Sequence, residues 1–125
     1  MITLEDACKK LNIPKATASY WIKKGMVPSV KQGKGRGKQE MLDDYGYTFL
    51  AVIKNLRQNG ISLQQLENIK YYHPIYGKKA SYFVWYVDTG TFGVFLDEKS
   101  LIGGLRSKSI AVNLKSIKKE LGIKG

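Results

Sequence analysis

The chain of 125 residues carries 21 Lys and Arg against 10 Asp and Glu, with a net charge of +11 at pH 7 and a pI near 9.7. This balance favours nucleic acid or another anionic surface as the partner. One cysteine excludes an intrachain disulfide framework, no Cys/His cluster has metal-ligand spacing, and no apolar run approaches membrane-spanning length. We therefore expect a soluble protein of the reducing cytoplasm, with no metal, cofactor or membrane contact.

The first predicted helix runs from Thr3 to Lys10. Thr3 suits the N-cap position, and Asp6 follows three residues later, where a carboxylate also suits the helix dipole. Apolar residues then recur at helical spacing, at Leu4, Ala7, Cys8 and Leu11. Pro14 ends this pattern and suits the start of a second helix.

The second predicted helix covers residues 15–24, and Gly25 is its expected C-cap. Ala18, Trp21 and Ile22 form an apolar face, whereas the remaining positions carry mostly hydroxyls and ammonium groups. Two short helices joined by a tight turn are typical of a helix-turn-helix, whose second helix enters the major groove. We expect these side chains to read base edges or flanking phosphates: Lys15, Thr17, Ser19 and Tyr20.

A basic, glycine-rich loop follows over residues 29–40. Glycines at 33, 35 and 37 alternate with cations, and between Ala7 and Gln39 there are nine Lys or Arg and no Asp or Glu. The glycines permit a tight hairpin tip that approaches a surface closely. A solvated loop is the alternative, but phosphate contact is favoured. We predict that the DNA backbone is held by Lys23, Lys24, Lys31, Lys34, Arg36 and Lys38.

Two further helices are predicted before residue 73. Asp43 or Asp44 caps a third helix that ends at Asn59, before Gly60. Ser62, with Gln65 three residues later, caps a fourth helix that reaches about residue 72.

Residues 1–72 resemble the winged helix-turn-helix domain of the MerR family of bacterial transcription regulators. The matching segments are ITLEDACKKLNI (residues 2–13), Thr17-x-x-Tyr20-Trp21, Gly25-Met-Val-Pro28 and LRQNGISL (residues 56–63). The last is the most specific, because its glycine and serine follow the family's order and spacing. The resemblance implies a winged DNA-binding fold. The long coiled-coil helix that usually dimerises the family does not follow residue 72.

The second half reads as a small β-β-α-β-α domain over residues 81–125, joined by a linker at 73–80. Its expected elements are strands at 81–87 and 91–96, a helix at 98–105, a strand at 109–114 and a helix at 116–121. The whole chain is thus predicted to be α+β. The aromatic residues of this domain predict a core, a ligand pocket or an exposed stacking sheet. Because winged domains bind paired half-sites, we assign this domain to homodimerisation as a hypothesis.

The pattern as a whole predicts a homodimeric, sequence-specific regulator that binds double-stranded DNA. Two alternatives are open: an accessory DNA-binding protein of a phage or mobile element (excisionase-like, or a segregation or architectural protein), or a protein-protein adaptor that uses the C-terminal aromatic sheet. We do not expect an enzyme, since the sequence has no paired carboxylates, catalytic triad or metal site. His73 is interpreted as a cap or surface residue and Cys8 as core packing. The sequence indicates neither an operator nor a small-molecule effector.

Overall fold

A computed structural model describes residues 1–32, 39–71, 81–105 and 108–123 of the chain. The chain divides into two compact units, Met1–Lys70 and Tyr71–Gly125. The predicted linker at 73–80, including His73, and the tip of the basic loop at 33–38 lie outside the described residues. Helices and antiparallel sheets occur together, so the expected mixed helix-and-sheet class is confirmed.

The first unit is a helical cluster with a small sheet. Its elements are β1 (Ile2–Thr3), α1 (Leu4–Leu11), α2 (Lys15–Lys23), β2 (Val30–Gln32), β3 (Gln39–Leu42), α3 (Asp44–Gln58), α4 (Leu63–Leu66) and a 3-10 turn (Glu67–Tyr71). The sheet is antiparallel in the order β1-β3-β2. β3 pairs Leu42 with Ile2 and Met41 with Val30, so it lies at the centre. β1 was not predicted, because a strand of two residues is too short to show an alternation of apolar and polar side chains.

The predicted helix caps are present in this unit. The Thr3 hydroxyl accepts a hydrogen bond from the Asp6 amide at 3.1 Å. Asp43, rather than Asp44, is the N-cap of α3, and its carboxylate accepts from the Gly46 amide at 2.8 Å. Ser62 and Gln65 form a reciprocal capping box at the start of α4. Short-range side-chain chemistry thus fixes where each of these helices begins.

The fourth helix differs from the prediction of one continuous helix to about residue 72. The α-helical part ends at Leu66, and the chain continues as a 3-10 turn over Glu67–Tyr71. A tighter last turn of this kind is common at helix ends. Leu66 and Ile69 are nevertheless fully buried, so this segment still packs into the core of the unit.

A single apolar core holds the three longest helices of this unit together. Each contributes side chains that are almost fully buried: Leu4, Ala7 and Cys8 from α1, Ala18 and Trp21 from α2, and Phe49, Leu50, Val52, Ile53 and Leu56 from α3. Met26 and Val27, in the extended segment after α2, are also buried. This burial fixes which face of α2 points inward and which points to solvent.

The second unit contains β4 (Tyr82–Tyr86), β5 (Thr91–Phe95), α5 (Glu98–Gly104), β6 (Ser109–Asn113) and α6 (Leu114–Glu120). Its sheet is antiparallel in the order β5-β4-β6. The predicted end of the third strand is wrong: Leu114 begins α6 instead. The Asn113 side chain accepts a hydrogen bond from the Ser116 amide and so starts the helix two residues early.

Both faces of the central strand β4 are buried. Val84 and Tyr86 pack with Leu101 of α5 on one face. Successive side chains of a strand point to opposite faces, so Phe83 and Trp85 lie on the other. Their rings are 4.9 and 4.5 Å from the ring of Phe92. These aromatics therefore belong to a core rather than to an exposed stacking surface.

Gly46→Ala should destabilise the first unit although alanine favours helices. Gly46 is buried in the first turn of α3, and a Cβ there would overlap the backbone carbonyl oxygen of Pro28. Overpacking of this kind costs about 1–3 kcal/mol, more than the roughly 1 kcal/mol that alanine gains in a helix. Urea unfolding measures the difference in the free energy of unfolding.

The control is Gln58→Ala at the exposed end of the same helix. Its free energy of unfolding should stay within about 0.5 kcal/mol of the parent. If Gly46→Ala is instead more stable than the parent, the close approach of Gly46 to the Pro28 carbonyl does not hold α3 against the segment that follows α2.

Candidate nucleic-acid interface

Helix α2 divides its side chains sharply between core and solvent. Ala18 is fully buried and Trp21 is 4% exposed. Five of the six basic or hydroxyl side chains predicted as DNA contacts at 15–24 are exposed, and Thr17 is half-buried. The exposed members are Lys15, Ser19, Tyr20, Lys23 and Lys24. Because Lys15, Ser19 and Lys23 are four residues apart, they form one stripe along the helix.

The positive charges on the exposed face of α2 are not balanced by carboxylates of the described residues. No acidic residue occurs in the first turn of α2, and no carboxylate pairs with Lys15, Lys23 or Lys24 in the part of the chain that the structure describes. The Lys24 ammonium lies 5.6 Å from the centre of the Tyr20 ring, a cation–π contact that holds both side chains at the C-terminal end of the helix. Such a surface suits a polyanion.

The C-terminal end of α2 is set by glycine. Gly25 has a positive φ of +79°, and its amide donates to the Ile22 carbonyl, while the Met26 amide donates to the Trp21 carbonyl. This pair of bonds is a Schellman motif, which requires a left-handed residue that glycine adopts at no steric cost. The predicted role of Gly25 is confirmed, with Lys24 as the cap residue itself. The turn directs Met26 and Val27 into the core.

β2 and β3, the two strands that follow α2 in the chain, flank the basic loop in sequence. β2 and β3 pair antiparallel, with Lys31 opposite Glu40 and Gln32 opposite Gln39. The Ser29 hydroxyl donates to the Glu40 carboxylate at 2.8 Å at the base of this hairpin. Three predicted phosphate contacts, at Lys34, Arg36 and Lys38, lie outside the described residues, and for Lys31 only the backbone is described.

Two cations near α2 were missed by the sequence reasoning. The Lys54 ammonium donates to the carbonyl oxygen of Leu11, at the end of α1. Arg57 donates through Nη1 to the Ile61 carbonyl at 2.9 Å. Both line a pocket that also contains Thr17. The only signal in the sequence is their i, i+3 spacing on α3, which places them on one face of that helix.

The ionisable groups offer little other chemistry. Within residues 1–32, 39–71, 81–105 and 108–123, no group of three or more His, Cys, Asp or Glu residues is arranged to hold a metal ion. Burial raises the pKa of the Cys8 thiol, and the nearby charge of Lys15 only partly opposes this. The thiol therefore stays protonated at neutral pH and behaves as a small apolar side chain. Among the helices in the described part of the chain, none is both long and apolar enough to cross a bilayer.

The comparison with known families agrees with this geometry. Residues 2–72, more than half of the chain, match the family model described as the MerR HTH family regulatory protein. None of the curated proteins matches the chain. The matched segment contains α1, α2, both strands of the hairpin and the junction between α3 and α4. The chain therefore belongs to the MerR HTH family, a family of DNA-binding transcription regulators.

Proposed function

We propose that this protein is a sequence-specific transcription regulator that places α2 in the major groove of double-stranded DNA. The observation that carries the proposal is the exposed, uncompensated face of α2 within a segment that matches a regulatory helix-turn-helix family. Base edges in the major groove distinguish all four base pairs and accept from hydroxyl and ammonium donors. Lys15, Thr17, Ser19 and Tyr20 are the proposed readers of sequence.

The proposed backbone clamp consists of the cations at the end of α2 and in the wing, residues 29–40. The antiparallel pairing of β2 with β3, the two arms of a hairpin, supports this proposal. Lys23 and Lys24 lie at the C-terminal end of α2, which is the end nearer to this hairpin in sequence. Their ammonium groups, with those of Lys31, Lys34 and Lys38 and the guanidinium of Arg36, neutralise phosphates and release counterions.

The proposed regulator is a homodimer, since helix-turn-helix proteins of this kind usually bind two half-sites. α5 and α6 have seven residues each, so neither can form the family's coiled coil. Because both faces of β4 are buried, we assign the contact to the outer edge of β5 and the apolar residues that follow it. Leu96 and Ile102 are 62% and 64% exposed, and a second copy would cover them.

An adaptor function that uses the aromatic sheet is less well supported. Phe83 and Trp85 are fully buried, and Phe92 is 6% exposed. A sheet that recruits a protein partner through these rings would have to expose them. Their burial counts against that function and favours DNA as the main partner.

Ser19→Ala should weaken binding to the operator more than binding to random DNA. The Ser19 side chain is exposed and makes no hydrogen bond within the described chain, and alanine favours the helix. Loss of one base contact worth about 1 kcal/mol lowers affinity about fivefold. Fluorescence anisotropy compares DNA from upstream of the protein's own gene with a random duplex.

The matched control is Ser116→Ala, the same substitution on the exposed surface of α6. It should leave both affinities unchanged. If Ser19→Ala weakens binding to the two duplexes equally, Ser19 contacts the backbone and does not read sequence.

Arg36→Gln should weaken binding to all sequences alike. A guanidinium that neutralises one phosphate contributes about one counterion to the salt dependence, so the slope of log K against log [salt] falls by about one. Lys119→Gln removes the same charge from the exposed surface of α6 and is the control. A change confined to one sequence would show that Arg36 reads bases and does not clamp the backbone.

The proposed dimer predicts a solution mass of about twice the 14.1 kDa of the chain. Ile102→Glu should shift this mass toward the monomer, because a carboxylate would be desolvated at the interface. Lys99→Glu, at an exposed position of the same helix, is the control. Light scattering after size exclusion measures both masses. A parent protein that remains monomeric on paired half-sites would contradict the proposal.

A further inference from the structure

A pocket of about 240 Å³ lies between the turn from α1 to α2, one face of α2 and the C-terminal half of α3. Its lining residues are Asn12, Ile13, Pro14, Thr17, Trp21, Lys54, Arg57 and Gln58. None of the DNA contacts proposed above requires a cavity here. Its volume is slightly below the range of about 300–1,000 Å³ that is usual for drug-sized ligands. It therefore suits a ligand with one ring or a short branched chain.

The indole of Trp21 is part of this pocket's lining. Trp21 is 4% exposed, and its indole Nε1 has no hydrogen-bond partner among the residues that the structure describes. A buried N–H without a partner is uncommon in native proteins and is costly to maintain. This atom is itself shielded from solvent, so a ligand in the pocket packs against the indole ring rather than bonding to its N–H.

The two cations of the pocket also have donors to spare. Lys54 and Arg57 each donate to one backbone carbonyl, and neither pairs with a carboxylate in the described part of the chain. An ammonium has three donors and a guanidinium has five, so most remain available. In addition, no side chain caps the first turn of α2, which begins beside Pro14. Free amides at a helix N-terminus favour an anion.

We propose that this pocket binds a small carboxylic acid with an apolar body, such as an arylacetate. The carboxylate lies against Lys54 and Arg57, where it accepts charge-assisted hydrogen bonds. The apolar body packs against Ile13, Pro14 and Trp21. Burial of the body and neutralisation of the cations act together, so a neutral ligand of the same shape binds more weakly.

The site is coupled to the proposed DNA surface through Thr17, which lines the pocket and lies on α2. A bound carboxylate removes positive charge beside the recognition helix and restricts the Thr17 side chain. It therefore lowers the affinity for DNA. This regulatory part rests on the proposed DNA-binding function, whereas the binding of the acid does not.

The test is a titration of the full chain with phenylacetate, followed by ¹H–¹⁵N NMR of the indole N–H groups. The Trp21 resonance, assigned by its loss in Trp21→Phe, should shift and saturate, while the Trp85 resonance stays in place. Phenylacetamide, the neutral isostere, should bind at least tenfold more weakly. Arg57→Gln and Lys54→Gln should each weaken phenylacetate binding about tenfold, because each removes a charged hydrogen bond.

Lys10→Gln removes an exposed cation of the same unit that does not line the pocket, and it should leave phenylacetate binding unchanged. An unshifted Trp21 resonance, or equal binding of the acid and the amide, would overturn the proposal. A shift of Trp21 caused by duplex DNA but not by phenylacetate would also overturn it, because the pocket would then belong to the DNA interface.

The regulatory part has its own readout. Phenylacetate at about ten times the parent's Kd should weaken operator binding severalfold in the parent protein and clearly less in Arg57→Gln, whose site is then only about half occupied. Phenylacetate binding without this change would overturn the regulation alone. Phenylacetate binding by a protein that binds no DNA would overturn the proposed function and leave the acid site intact.

Discussion

The division of α2 into a buried and an exposed face is the constraint on which the first unit depends. Nine residues must bury Ala18 and Trp21 in the core and leave a cationic stripe in solvent. Gly25 then ends the helix and turns Met26 and Val27 back into the same core. Burial therefore fixes the rotation of α2, and that rotation selects the side chains that an approaching duplex can meet. The charge of the stripe adds affinity, but the packing underneath determines its direction.

Features encoded by residues close in sequence could be predicted, and features set by distant packing could not. The caps at Thr3, Asp43 and Ser62 each depend on a group three residues away, so the sequence alone locates them. β1 exists because β3 is available as its partner, and no local pattern indicates it. Likewise, the change to a 3-10 turn after Leu66 has no signal of its own in the sequence. Lys54 and Arg57 line one pocket with Thr17 only because α3 packs beside α2.

The second unit shows how an aromatic sequence can suggest two opposite roles. The run Tyr82–Tyr86 is compatible with an exposed binding sheet or with a core, because both require a β-prone, apolar strand. The structure buries residues on both faces of this strand, with Phe92 against Phe83 and Trp85 and with Leu101 against Val84 and Tyr86. Because these rings are buried, the dimer contact proposed above falls to the edge of the sheet and the exposed apolar residues that follow β5.

The central claim is that α2 and the wing together bind DNA with sequence preference, and a salt titration of the parent protein tests it most directly. Affinity is measured from low to physiological salt for DNA from upstream of the gene and for a random duplex. The account predicts a steep salt slope for both and binding to a specific site that is at least about 10³-fold tighter. If both duplexes bind equally and no fragment of a genomic library binds more tightly than the rest, an architectural DNA-binding protein is favoured instead. No binding at low salt would contradict the account.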